Sequence, residues 1–397
     1  MTSPSNGNSF YESYGHLRRG VDFPAVELSD PALRRSRFDP QLDEEQTARV
    51  DRLVTDELVI SFHDHPQMLP SNVAHTAEYL RQSHLYTAYT DLRRSGMTAV
   101  FDNWFGVLGS WTWTELITWL GTRLADIDRQ PGVVVGRTSS DIIDAHRDGD
   151  VAFVMGTESS TAIENDLDRI DVLHGLGLRQ MGLVFAESNA LGSGQKESRD
   201  GGLTTFGRRA IERMNLLGML VDVSHASDQT SLDAIDASST PVAITHAGAR
   251  AVWPTARMKP DEVLRACAER GGVLGIEAAP HTTVSYGHRT HSIDSVMDHF
   301  VHAVEIMGID HVAFGPDTFY GDHVGFHSAT GEAAGFSSVL HPGDLKYDRV
   351  AFVDGMENPS ENFFNITGWL VQHGYSDTDI RKVLGGNVLR LLSEVWR

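Results

Sequence analysis

Residues 58–65 read LVISFHDH, a short run of branched and aromatic side chains that breaks off into histidine, aspartate, histidine. A run of this length and composition is a buried strand, and the imidazoles stand where it ends. Seven similar runs follow: MTAVF (97–101), VAFVM (151–155), QMGLVF (180–185), MLVDV (219–223), PVAIT (241–245), GVLGI (272–276) and HVAFG (311–315). Amphipathic stretches such as FGRRAIERMNLLG, PDEVLRACAERGG and SVMDHFVHAVEIMG separate them, each closed by a glycine where a left-handed cap is cheap. Eight β–α units predict an α/β fold of the (β/α)8 TIM-like barrel type over residues 46–397. Residues 1–45, polar and weakly periodic, form an N-terminal extension. Two C-terminal helices, NFFNITGWLVQHG and SDTDIRKVLGGNVLRLLSEVW, are expected to cover the barrel; the second opens with Ser376 and Asp379 at capping-box spacing.

The chain has 397 residues, 41% of them hydrophobic, enough for a large core. Its 33 Lys+Arg against 54 Asp+Glu give a formal net charge of -21, which disfavours nucleic acid and anionic membrane and leaves small molecules, cations or protein as partners. One cysteine, Cys267, allows no internal disulfide. No export signal and no apolar stretch of membrane-spanning length stands out, and a cytoplasmic location is expected.

A barrel of this kind carries its chemistry at the C-terminal ends of its strands. His63 and His65 follow the first run, Glu158 the third, His225 the fifth, His246 the sixth and Asp317 the eighth. Each alone would pass as a hydrogen-bonded loop residue. Four histidines and two acids on one face match a divalent metal pair, with neutral imidazoles as ligands and a carboxylate able to bridge. In an extended segment residues i and i+2 point the same way, so His63 and His65 reach one ion while Asp64 points elsewhere. The only lysines are Lys196, Lys259, Lys346 and Lys382. None directly follows an apolar run, which favours Glu158 over a modified lysine as the bridge.

The stretches GLTTFGRRAIERMNLLGMLVDVSHASDQT, PVAITHAGARAVWPTARMKPDEVLRACAERGGVLGI, GIDHVAFGPD and GYSDTDIRKVLGGNVLRLL resemble the membrane (renal) dipeptidase family of binuclear zinc peptidases, in the same order, over residues 55–397. The resemblance implies two zinc ions: His63 on the first, Glu158 bridging, His225 and His246 on the second, and Asp317 handling the proton. It implies further that Arg257, eleven residues after His246, grips a substrate carboxylate, with Arg250 a competing candidate, and that homodimers are common. Three departures stand out. The family's His-x-Asp is His63-x-His65; its strand-four histidine, which contacts the reacting carbonyl, is Phe185, with Glu187 or Asn189 as possible substitutes; and Asp-Phe-Asp-Gly after the last strand is DTFYG, keeping Asp317 and bringing in Tyr320.

NWFGVLGSWTWTELITWL holds four of the seven tryptophans. Trp119 reads as helix packing, while Trp104, Trp111 and Trp113 lie near the strand mouth as candidate walls of an apolar pocket. The expected function is hydrolysis of an amide bond in a small, partly hydrophobic substrate by a metal-bridging hydroxide. Alternatives are an ordinary dipeptidase, an ester, carbamate or lactone hydrolase on the same metals, a mononuclear deaminase-like enzyme, or a metal-binding barrel without turnover.

Overall fold

A computed structural model describes residues 13–30, 38–106, 112–334 and 347–396. All eight runs are strands: β1 (Ile60–Asp64), β2 (Ala99–Trp104), β4 (Val151–Thr157), β5 (Leu178–Gly182), β6 (Leu220–Asp222), β7 (Ala243–Ala247), β8 (Val273–Ile276) and β9 (Val312–Phe314). They pair in parallel in the order β1-β2-β4-β5-β6-β7-β8-β9. Helices lie between successive strands, as a TIM-like barrel requires. A ninth strand absent from the sequence reading, β3 (Val133–Val135), pairs only with β4 and lies off the barrel path. Three valines between glycines are too short a run to signal a strand. No helix among the described residues is long and apolar enough to cross a membrane.

Alternation fixes what fills the barrel. Ile60, Phe62, Phe101, Val154, Leu220 and Val273 share a core with Val388, Leu391, Leu392 and Trp396 of the C-terminal segment. The helix Asn387–Val395 therefore closes the N-terminal end, leaving the other end for chemistry. The tail is continuous in this region: Asp377–Arg381 runs through a π-helical turn, Lys382–Gly386, into that last helix. Gly385 occupies that turn against the carbonyl of Leu58, where a Cβ would not fit.

Stepping two residues at a time toward the C-terminal ends, the inward positions turn polar: Asn103, Glu158, Gln180, Asp222, Thr245, Glu277 and Asp317. Two bulges bring the histidines to the same side. Between Ser61 and Asp64, β1 carries one residue more than β2, and between Ile244 and Ala247, β7 carries one more than β8. An extra residue re-aims the side chains beyond it. In β1 it turns His63 and His65 inward after Ile60 and Phe62; in β7 it turns His246 inward beside Thr245. The β7 bulge also pushes the Thr245 carbonyl across the interior to positions 275 and 315. Both are glycine, and a Cβ at either would collide with that oxygen.

β1 and β9 are joined beyond their ladders, where the Asp317 N–H donates to the His63 carbonyl (3.0 Å) and the His65 N–H to the Thr318 carbonyl (3.0 Å). Asp64, turned outward by the bulge, accepts from Ser61 Oγ (2.6 Å) and from the Thr318 N–H (2.8 Å) and hydroxyl (2.7 Å). It strengthens this seam. The described part of the N-terminal extension lies against the nearby loops: Tyr14 and Phe23 pack on Tyr86, and the Ser29 N–H donates to the Leu69 carbonyl (2.9 Å).

Candidate active site

His63, His65, Glu158, His225, His246 and Asp317 converge at the C-terminal mouth. His65 Nε2 lies 3.3 Å from Glu158 Oε1 and 3.1 Å from Asp317 Oδ1. His63 Nε2 lies 3.6 Å from each of these oxygens. On the other side of Glu158, Oε2 is 3.1 Å from His225 Nε2, which is 3.0 Å from His246 Nε2. The rings of His63 and His246 stack at 3.5 Å. Three overlapping donor triads result: His63, His65 and Glu158; Glu158, His225 and His246; and His63, His246 and Asp317. Glu158 is shared between the first two, one carboxylate oxygen facing each.

Hydrogen bonds behind the rings determine which nitrogen faces inward. Asp222, acceptor-only as a carboxylate, receives the Thr245 hydroxyl (2.7 Å) as well as Gln180 Nε2 (2.9 Å) and Ser224 Oγ (2.5 Å). With its proton committed there, the Thr245 oxygen must accept from His246 Nδ1 (2.9 Å). His246 Nε2 is thus a bare lone pair aimed into the site. At His63 the amide of Asn103 lies 2.9 Å from Nδ1. Written with its nitrogen toward the ring, that amide leaves Asn103 Oδ1, Gln180 Oε1 and His63 Nε2 all buried without hydrogen-bond partners. Both orphaned amide oxygens crowd one spot beside Gly156. Rotating the Asn103 amide by half a turn resolves all three: its oxygen accepts from His63 Nδ1–H, its nitrogen faces Gln180 Oε1, and His63 Nε2 becomes a free donor atom. Amide orientation is assigned from such networks.

Electrostatics favour the neutral form of His225 and His246 and the charged form of His65. Burial, then the charge of Arg257, holds His225 down to about 4, and burial, with the charge of Arg257 adding to it, pushes His246 well below the usual range. Burial opposes charge on His65 as well, yet Asp317 and Glu158 outweigh it and raise its pKa to about 10. Burial likewise resists ionisation of Glu158, but the imidazoles around it, His225 first, outweigh it and hold its pKa well below the usual carboxylate range. Neutral His225 and His246, an ionised Glu158, and His63 Nε2 and Glu158 Oε1 without hydrogen-bond partners form a donor set for divalent cations, which His65 joins on giving up its proton.

The model of the membrane dipeptidase family M19 matches residues 48–330. The chain belongs to the membrane dipeptidase family. Among curated relatives of this family member are dipeptidase TcpJ of Claviceps purpurea, 29% identical over 65% of this chain and 54% of its own length, and dipeptidase AclJ of Aspergillus oryzae, 28% identical over 63% and 53%. The chain thus spans about half the length of the curated relatives it matches. Among solved structures, an amidohydrolase from Pseudomonas aeruginosa superposes with a TM-score of 0.71 at 25% identity, covering 87% of this chain and 99% of that one. The probable dipeptidase PvdM of the same organism superposes with a TM-score of 0.70 at 19% identity, covering 89% and 99%.

The expected pocket walls of this dipeptidase-family chain fall differently. Trp111 lies outside the described residues. Trp104, like Trp119, is packed in the main core, and Trp113 sits under the Arg169 guanidinium at 4.8 Å. Tyr320 is fully buried, its hydroxyl 2.8 Å from Ser360 Oγ. Trp104 and Tyr320 are therefore part of the packing. The aromatic rings beside the donors are phenylalanines. Half-buried Phe185 tilts over His225 at 4.3 Å, and half-buried Phe105, which the sequence reading missed, lies 4.8 Å from His65. Phe319, stacked on His65 at 4.4 Å and 5.6 Å from Phe105, is buried and fixes that ring.

Neither proposed stand-in for the strand-four histidine takes its place. Asn189 Nδ2 donates to the Leu183 carbonyl (2.9 Å) and to Thr161 Oγ1 (3.1 Å), and Glu187 is exposed. Arg250 is committed to Asp228. Arg257 is buried and already engaged, donating to the carbonyls of Ser224 (3.1 Å) and His246 (2.8 Å) and pairing with Glu277.

Proposed function

We propose that this chain is a metal-dependent hydrolase of an amide bond in a small, partly hydrophobic substrate, working with two divalent ions, zinc foremost. The observation that carries this reading is Glu158 with its two oxygens turned to two separate sets of buried imidazoles. His63 and His65 would hold one ion, His225 and His246 the other, and Glu158 both. Bound there, the ions would supply Lewis acidity toward the carbonyl and lower the pKa of water. The dipeptidase names of the fungal relatives support the class of reaction.

The protein's own groups do the rest. Asp317 is held by its N–H on the His63 carbonyl in a left-handed conformation (φ 60°), a costly arrangement for a residue other than glycine. That places Oδ1 at the donors, where it takes a proton from the attacking water and returns it to the departing nitrogen. Phe105 and Phe185, half-buried on the His65 and His225 sides, favour an apolar group next to the scissile bond and keep water from it. A phenyl ring at 185 cannot donate a hydrogen bond to the carbonyl, so short polar dipeptides are poor substrates.

The test is a panel of L,L-dipeptides, N-acyl amino acids, aryl amides, carbamates, esters and lactones, given to zinc-loaded and chelator-treated protein. Hydrolysis of an amide with a bulky apolar group, lost with the metal, supports the reading. Equal efficiency on alanine and glycine dipeptides makes the protein an ordinary dipeptidase, and preference for esters or lactones moves the activity to C–O bonds. We further propose a homodimer acting in the cytoplasm on a small molecule, without nucleic-acid or membrane partners, which the net charge of -21 supports.

A further inference from the structure

Glu277 follows β8 at an inward position, as Glu158 follows β4 and Asp317 follows β9. It is fully buried, and one oxygen pairs with Arg257. The guanidinium meanwhile spans the mouth of the barrel, donating to the carbonyls of Ser224 and His246 on the loops that carry the second set of imidazoles. The other oxygen, Oε1, is buried with no hydrogen-bond partner, and the Thr282 hydroxyl nearby donates to the Ala279 carbonyl (2.6 Å). Such an oxygen at an inward position is a vacant acceptor; leaving it so costs desolvation without return.

We propose that Glu277 sets the chemical class of the group bound beside Arg257: it cancels the guanidinium charge, rejects a carboxylate there, and offers Oε1 to a hydrogen-bond donor, the N–H of an amide or amine. Arg257 alone would suit a carboxylate, since its planar fork matches one. With Glu277 in contact, an incoming carboxylate meets a like charge in a buried setting, where such repulsion is poorly screened. This rests on the hydrolase reading for the position of the substrate, and it narrows that substrate to one whose end at Arg257 is an uncharged amide or an amine.

The test is ligand binding, independent of turnover. Dissociation constants of phenylalanine and phenylalaninamide are measured by calorimetry on zinc-loaded wild-type and Glu277→Gln protein, with unfolding temperature and metal content as controls. The wild type is expected to bind the amide at least about tenfold more tightly than the acid, and Glu277→Gln to bring the two within about threefold by strengthening the acid. A carboxylate bound only through the metals gains nothing from the substitution, so the change isolates Arg257. Wild-type protein that binds the acid as well as the amide overturns the proposal, whatever the variant does. So does a folded, metal-replete Glu277→Gln protein with an unchanged ratio, or failure of both ligands to bind the wild type. Failure of the hydrolysis panel with the expected binding ratio would instead remove the hydrolase reading and leave the subsite.

Discussion

Lys259 is fully buried behind the second set of imidazoles, its Nζ donating to the Ala226 carbonyl (2.6 Å) and to Ser231 Oγ (3.1 Å). Burial is the main cause that lowers its pKa to about 7. An unfolded lysine titrates near 10.4, so between the two values the unfolded chain binds more protons and stability rises with pH. At pH 7 the mismatch costs the fold about 4 kcal/mol, and by pH 10 only about 1 kcal/mol. Lys259→Met removes this cost but strips the Ala226 carbonyl of its donor, a loss of about 1–3 kcal/mol. The variant should therefore be the more stable protein at pH 7 and the less stable at pH 10, the difference moving by about 3 kcal/mol. Urea unfolding of both chelator-treated proteins at pH 7, 8.5 and 10 measures it. Parallel stability curves would refute the reasoning, because a lysine charged in both states has no pH-dependent penalty. The same variant should bind zinc about tenfold or more weakly, since Ala226 adjoins His225 and Lys259 steadies that loop.

Elemental analysis of gently purified protein should give about two divalent ions per chain, because four imidazoles and a shared carboxylate exceed the needs of one tetrahedral ion with an open position. A stoichiometry of one with full activity would favour the mononuclear alternative. Asp317→Asn should keep its fold and both ions while losing on the order of a hundredfold or more in kcat; loss of metal as well would make Asp317 a ligand, as its place beside His63 and His246 allows. Asn103→Ala should lower zinc affinity about 10–100-fold while leaving the fold intact, through loss of the group that fixes the His63 tautomer. Phe185→His should raise kcat/KM for short dipeptides relative to apolar amides, with a ceiling of about a thousandfold from one added donor; no change in that ratio would clear Phe185 of any part in selectivity.

The strands and the six donor residues were legible because a buried parallel strand is a bare apolar run, and a polar residue directly behind it has few reasons to be there. Glu277 offered the same signal behind GVLGI. Asp222 offered another, an acid inside the run MLVDV, where only an internal network tolerates a charge. An acid behind or inside a strand does not say whether it meets a metal or a hydrogen-bond donor, and the partners that decide it, Arg257 for Glu277 and Thr245 for Asp222, lie 20 and 23 residues away along the chain. Phe105 was hidden by the adjacent tryptophans, which look more like a pocket wall than they are; size and aromaticity do not say which side of a strand or helix a ring takes. The two bulges were not read. They are set by pairing between strands far apart in sequence, although Gly275 and Gly315, which make room for the displaced Thr245 carbonyl, are their visible trace.

The first and last strands meet through the backbone of His63, His65, Asp317 and Thr318, the same residues or neighbours of residues that gather the donors. The closing stitch of the barrel and its reactive centre are thus one piece of structure. Ions that bind across His63, His65 and Glu158 would rivet the ring shut, and their removal would leave a hoop fastened at its weakest point. The amide protons of His65 and Asp317, slow to exchange in a loaded protein and quicker after chelation, would make the skeleton itself the gauge of whether the centre is filled.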